Sequence, residues 1–140
     1  MKAKQALDID ALVAATVPPR PNPQLAFTVP GLRVDSETNA YEHWRDKGKR
    51  RKKQKEWLHN AWLVAYRHDV LNLIVLPCVV RLTRIGQKRL DDDNLREAFK
   101  AIRDQIASEI GVDDGDDRIK WEYAQCAVGK RIYAVRIEVH

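Results

Sequence analysis

The chain has 140 residues, of which 44% are hydrophobic and 32% are charged, and its formal net charge is +5. This length suits a single domain. The lack of any run of about 18 apolar residues excludes a membrane-spanning protein, and the apolar content excludes full disorder. Two cysteines are too few for a disulfide framework or a four-thiolate zinc site, so we expect a reducing, cytoplasmic environment.

The first 24 residues are predicted to form a tail and a stiff linker. A short helix is predicted within residues 1–17, and the four prolines between positions 18 and 23 then interrupt regular structure. Residues 25–140 are predicted to form the one folded domain.

Hydrophobic spacing predicts two long helices and four strands in that domain. The strands are expected over 25–32, 78–85, 119–127 and 132–139, and the helices over about 41–68 and 94–110. Gly129 and Lys130 are predicted to form a hairpin turn between the last two strands, and Gly111 a left-handed helix cap. Trp57 and Trp62 are expected in the core. The pattern predicts an α+β fold, a small, mostly antiparallel mixed sheet packed with two long helices.

Charge is concentrated in two blocks of opposite sign. Residues 43–55 contain eight Lys and Arg against one Asp, whereas residues 91–117 contain ten acids against three bases. This distribution is typical of a protein that attracts a polyanion and also holds a hard cation.

Three consecutive aspartates precede the second predicted helix. One Asp there is usually only a helix cap, but three repel one another unless a cation offsets the repulsion. Asp91 and Asp93 project to one side of an extended segment, and Asp92 is expected to cap the helix. A second acidic stretch, residues 113–117, follows that helix, which is about 25 Å long. It is either a solvated turn or part of a Mg²⁺ site, and it lacks the spacing of an EF-hand.

The order of these motifs resembles a known family. Asp91-x-Asp93-Asn94-Leu95 at a helix start, the turn Gly111-Val112-Asp113-Asp114, and a strand near Ile119 resemble the RusA-type Holliday junction resolvases, in a version typical of phages and prophages. The match in order and length covers about residues 75–140.

The resemblance implies a small homodimer, bacterial or phage-encoded, that binds four-way DNA junctions and nicks two strands symmetrically with Mg²⁺. It places Asp91 and Asp93 as metal ligands and Asp114 as the third. Counting back from the following strand favours Asp116 instead, so both are retained. The family has a lysine where this chain has Glu97, and Lys100 or Arg96 is the candidate substitute.

Basic residues are the candidates for contacts with DNA phosphates. Such contacts position the protein on DNA without reading its sequence. The candidates are Lys47, Lys49, Arg50, Arg51, Lys52, Lys53, Lys55, Lys88 and Arg89. Two alternatives remain open: a non-catalytic DNA-binding or phage-regulatory protein on the same fold, and a nuclease for other branched nucleic acids.

Overall fold

The computed structural model describes residues 8–35, 44–65 and 74–140, and these form four helices and one four-stranded sheet. Residues 41–43 and 66–68 of the first long predicted helix lie outside the described residues. Within the described residues, no helix combines the length and apolarity needed to cross a membrane. In chain order the elements are α1 (Ile9–Thr16), β1 (Leu25–Pro30), α2 (Trp44–Ala65), β2 (Cys78–Gly86), α3 (Asp92–Ala98), α4 (Lys100–Ile110), β3 (Ile119–Ala127) and β4 (Ala134–Val139).

The sheet has the strand order β1-β4-β2-β3. β4 pairs antiparallel with both β1 and β2, whereas β2 and β3 run parallel, so that Leu82 lies opposite Ile137 on one side and Tyr123 on the other. A parallel pair needs a long crossover connection, which α3 and α4 supply here. The predicted α+β class and mixed sheet are therefore confirmed.

The predicted hairpin between the last two strands is wrong, because β2 lies between β3 and β4. The chain passes over the end of β2 instead. The Val128 amide donates to the Gly86 carbonyl at 2.9 Å, and the Gly129 amide donates to the Gln87 carbonyl at 3.1 Å. Residues 128–133 then reach the far side of β2, where β4 begins.

The main core lies between one face of the sheet and helices α2 and α4. Leu58 and Trp62 are four residues apart in α2 and share its buried face. Trp57 is turned about 100° from Leu58 around the helix and is 48% exposed. The core position predicted for Trp62 is confirmed, and that for Trp57 is wrong. The remaining members of this core include Val80, Leu82, Phe99, Ile102, Ile106, Val135 and Ile137.

The opposite face of the sheet is covered by α1. Val13 and Val17 pack against Ile85, Cys126 and Ala134, which form a second apolar cluster. The residues that follow α1 are also held to the sheet. The buried Arg81 guanidinium donates to both carboxylate oxygens of Glu138, at 2.8 and 3.1 Å, and to the Pro18 carbonyl at 2.9 Å.

The second long predicted helix is divided into α3 and α4, so among the described helices only α2, with 22 residues, is long. α3 ends and α4 begins at Phe99, whose backbone φ of −91° and ψ of 4° leaves helical geometry. Phe99 is fully buried and packs against Tyr123. The Arg103 guanidinium donates to the Arg96 carbonyl at 2.7 Å, so this backbone acceptor near the break has a side-chain donor. The predicted left-handed cap at Gly111 is confirmed by its φ of 93°.

Candidate metal and nucleic-acid site

The three aspartates at the start of α3 are exposed. Asp91, not Asp92, occupies the N-cap position, and its carboxylate makes no capping hydrogen bond. Asp92 is the first residue of the helix itself, so the capping role predicted for it is wrong. Asp91, Asp92 and Asp93, called here the first acidic group, therefore present closely spaced negative charges to solvent.

The turn after α4 holds the other candidate ligands and is called here the acidic loop, residues 113–117. The Asp116 carboxylate accepts hydrogen bonds from the Arg118 side chain, at 2.7 and 3.0 Å, and from its backbone amide at 2.9 Å. These bonds lower the pKa of Asp116 to about 2. Asp116 is therefore ionised at neutral pH and already has a cationic partner.

Asp114, by contrast, lies against another carboxyl group, that of Asp104 in α4. Burial raises the pKa of Asp104, and the hydrogen bond and negative charge of Asp114 raise it further, while Lys55 and Lys100 act in the opposite direction. The Lys55 ammonium lies 3.9 Å from the Asp104 carboxylate. Two carboxyls in contact favour a shared proton or a cation.

Sequence reasoning missed Asp104, because a single acid within an amphipathic helix is typical of a solvated face. A signal was nevertheless present. Lys100, Asp104 and Ser108 are spaced by four residues and so share one side of α4. Asp104 and Ser108 line a recess together with Asp113 and Asp114.

One residue of β3 adjoins both groups of acids. The Trp121 indole N–H donates to the Asp114 carbonyl at 3.1 Å. Trp121 also lines a surface recess with Asp92 and Arg96 from the start of the α3–α4 segment. The first acidic group and the acidic loop thus border the same side chain. They do so although they lie at opposite ends of the α3–α4 segment.

The carboxylates themselves are not gathered into one cluster. Within the described residues, no three His, Cys, Asp or Glu side chains lie close enough together to hold a metal ion. The structure brings Asp114 to Asp104 and Asp116 to Arg118, and of the first acidic group it places Asp92 in the recess beside Trp121. Lys100 lies near Asp104 and so belongs with the acidic-loop side. Glu97 is exposed.

The candidate phosphate-binding residues do not form a single patch, because they are distributed around α2. Lys49, Arg50 and Lys53 border a pocket on one flank of the helix, and Lys55 faces α4 on the other. Lys52 is exposed, Lys47 and Arg51 are half-buried, and Lys88 and Arg89 are exposed in the turn that leads into Asp91.

The pocket on the first flank has a volume of about 370 Å³ and is called here the Trp57 pocket. It lies between residues 31–35, which follow β1, and the first half of α2. Trp57 forms one wall, and its ring approaches Gly31 so closely that a Cβ there would lie 3.2 Å from the indole. Gln54, also in the wall, donates to the Arg33 carbonyl at 3.0 Å.

A buried arginine links this pocket to the first acidic group. The Arg84 guanidinium donates to the Val34 carbonyl at 2.7 Å and to the Lys88 carbonyl at 2.6 Å, and it pairs with Asp35 at the pocket rim. It fills the space beside Gly86, where a Cβ would lie 2.7 Å from it. The Trp57 pocket and the turn into Asp91 are therefore held together by one side chain.

Comparisons with protein-family models, with curated proteins and with solved structures find no match. The function is therefore inferred from the residues of this chain and from the motif order described above.

Proposed function

We propose that this protein is a Mg²⁺-dependent DNA endonuclease that resolves four-way junctions, acting as a homodimer that makes paired symmetric nicks. The observation that carries the proposal is the position of Trp121 between two acidic groups that lie far apart in sequence. The two acidic groups thus border one side chain, and a metal ion held there would offset the repulsion among their carboxylates.

The donor set fits Mg²⁺ in its chemistry. All the candidate ligands are carboxylates, and hard oxygen donors are what this ion prefers. Mg²⁺ commonly keeps several waters and takes only one or two protein carboxylates together with substrate phosphates. A pre-formed cluster of three acids is therefore not a requirement for binding.

Asp91 and Asp93 would hold the ion, with Asp114 as the first choice for a third ligand. Asp116 would have to give up its hydrogen bonds with Arg118 before it could bind metal. When bound, Mg²⁺ supplies Lewis-acid activation of the scissile phosphate and of an attacking water.

Lys100 would place positive charge near the phosphate from the acidic-loop side, where it also offsets the charge of Asp104. Because Glu97 stands where the resembled family has a lysine, this role of Lys100 is the substitute that the proposal needs. The basic residues of α2, with Lys88 and Arg89, would hold the phosphates of the junction arms.

Two copies of the chain would supply two cutting sites, which matches the two-fold symmetry of a four-way junction. Both cysteines are free and buried, as a reducing compartment allows. We therefore propose a cytoplasmic location, and the family resemblance implies a bacterial or phage-encoded protein.

The test is cleavage of a synthetic four-way junction by the full-length chain with Mg²⁺. The wild-type protein should nick opposite strands symmetrically. Asp93→Asn should lower the rate by about two powers of ten, equivalent to about 3 kcal/mol, and should still bind the junction, because loss of a negative charge reduces repulsion from phosphate.

Asp92→Asn is the matched control, since it removes the same charge from the adjacent residue, and it should keep its cutting activity. Wild-type cutting rates in Asp93→Asn, or equal losses in both variants, would overturn the ligand assignment. Size measurement of the protein–junction complex tests the dimer independently.

A second candidate function is DNA binding without cleavage, in a regulatory protein. Glu97 favours it, because the resembled family has a lysine at that position. Binding without nicking across Mg²⁺ and Mn²⁺ would select this alternative. Competition among junction, fork, duplex and single strand distinguishes a nuclease for other branched nucleic acids.

A further inference from the structure

The Trp57 pocket is separate from the candidate metal ligands and combines an apolar wall with a basic rim. Trp57 is 48% exposed, although exposing so large an apolar surface is unfavourable. Its ring contacts Gly31, whose lack of a Cβ permits that approach. The indole therefore presents an accessible apolar surface beside Gly31.

The rim of the pocket carries positive charge from α2. Lys49, Arg50 and Lys53 are spaced so that all three lie on the helix flank that ends at Trp57. Asp46 is the one acid that α2 contributes to the lining, at the end away from Trp57 along the helix. An anionic group would therefore be attracted to the part of the rim nearest the indole.

A polar group in the wall is incompletely satisfied. Gln54 is only 4% exposed, and its side-chain nitrogen donates to Arg33, while its side-chain oxygen has no hydrogen-bond partner among the described residues. A buried acceptor without a donor is unfavourable. Because this oxygen is itself buried, a ligand N–H would reach it only if the Gln54 side chain turned toward the pocket.

We infer that the Trp57 pocket binds one unpaired nucleotide of single-stranded DNA. The base stacks on Trp57, as bases do on the aromatic side chains of single-strand-binding proteins. Lys49, Arg50 and Lys53 hold the flanking phosphates, and the Gln54 side chain turns to accept a hydrogen bond from a base N–H. A volume of about 370 Å³ lies within the range of sites for small organic ligands.

This inference rests on the proposed action on branched DNA for its choice of ligand. Because Arg84 joins the pocket rim to the turn that precedes Asp91, the pocket is held in a fixed position relative to the first acidic group. The pocket would thereby favour junctions whose central bases have opened over closed duplex.

The test is equilibrium filter binding in EDTA, so that no metal and no cleavage are involved. The probes are a 12-nucleotide thymidine oligomer and a 20-base-pair duplex at one salt concentration. Trp57→Ala should weaken oligomer binding by about 5- to 100-fold and leave duplex binding nearly unchanged. Trp57→Phe, which keeps an aromatic face, should retain most of the affinity.

Leu63→Ala is the matched control, because Leu63 is an exposed apolar residue of the same helix and lies outside the pocket. Thermal melting of each variant verifies folding. The inference is overturned if Trp57→Ala binds the oligomer as tightly as the wild type, or if it loses oligomer and duplex equally. The binding assay contains no metal, so a negative result in it does not affect the junction-cleavage experiment. A negative result in the cleavage experiment likewise does not affect the binding assay.

Discussion

At the scale of single residues, the contact between the carboxyl groups of Asp104 and Asp114 is an arrangement that lowers the stability of the folded protein. The pKa of Asp104 is raised above its usual value of 3.8, mainly by burial and then by Asp114, despite the nearby Lys55 and Lys100. A raised pKa means that the folded protein disfavours the ionised carboxyl. The penalty is absent below about pH 4 and becomes complete as the pH rises through the folded-state pKa.

Asp104→Asn should therefore stabilise the protein at pH 7, by about 0.5 kcal/mol after allowance for screening by solvent. The difference from the wild type should vanish near pH 4. Urea unfolding followed by circular dichroism at the two pH values measures it. Glu56→Gln removes an exposed carboxylate from α2 and serves as the control, with no comparable gain. A loss of stability in Asp104→Asn at pH 7 would show that its lysine contacts outweigh the repulsion.

At the scale of elements, α1 acts as a cover for one face of the sheet. Val13 is buried against the cluster that contains Cys126, and the Cys126 sulfur lies 3.4 Å from the Thr16 hydroxyl. Cys78 belongs to the core on the other face, and burial raises the pKa of its thiol. The two thiols therefore report separately on the two faces.

Val13→Asp should increase the rate of Cys126 labelling by a thiol reagent by about tenfold or more. A charge in this apolar contact costs at least about 1–3 kcal/mol and favours the undocked helix. Cys78 labelling should stay slow. Ala14→Asp is the control, since Ala14 is the exposed neighbour of Val13. Equal labelling of both cysteines in Val13→Asp would mean general unfolding rather than release of α1.

The elements also show where sequence reasoning succeeds and where it stops. Strand bounds and the cap at Gly111 follow from local alternation and from glycine's freedom at positive φ, so they were predictable. The pairing of β3 was not read correctly, although a strand–helix–strand order favours a parallel crossover. The break at Phe99 is set by tertiary packing against Tyr123. The hydrophobic periodicity of one helix gives no information about that contact.

At the scale of the whole molecule, charge is divided between a basic helix and an acidic segment. The sequence predicted both blocks, because each is continuous along the chain. It did not predict that the basic residues are distributed around α2, or that Trp57 is exposed on one flank. Those features depend on which face of the helix packs on the sheet. Leu58 and Trp62 define that face, because both are buried in the main core.

This distribution predicts how salt would weaken the proposed DNA binding. The double variant Lys49→Ala/Lys53→Ala should reduce the slope of log affinity against log salt for duplex DNA by about 2, one for each lost phosphate contact. Lys130→Ala, an exposed lysine far along the chain from α2, should leave the slope unchanged. Filter binding over a salt series supplies the measurement. An unaltered slope in the double variant would remove this flank of α2 from the DNA-binding surface.

The place of Trp121 has one more consequence. An indole's emission responds to nearby charge and to its own hydrogen bond, and this ring borders Asp92 while donating to the Asp114 carbonyl. Any ion or phosphate that settles among these acids would alter the light that Trp121 emits. Trp121, one of four tryptophans in the chain, thus contributes an intrinsic optical signal from between the two halves of the proposed centre, with no added dye.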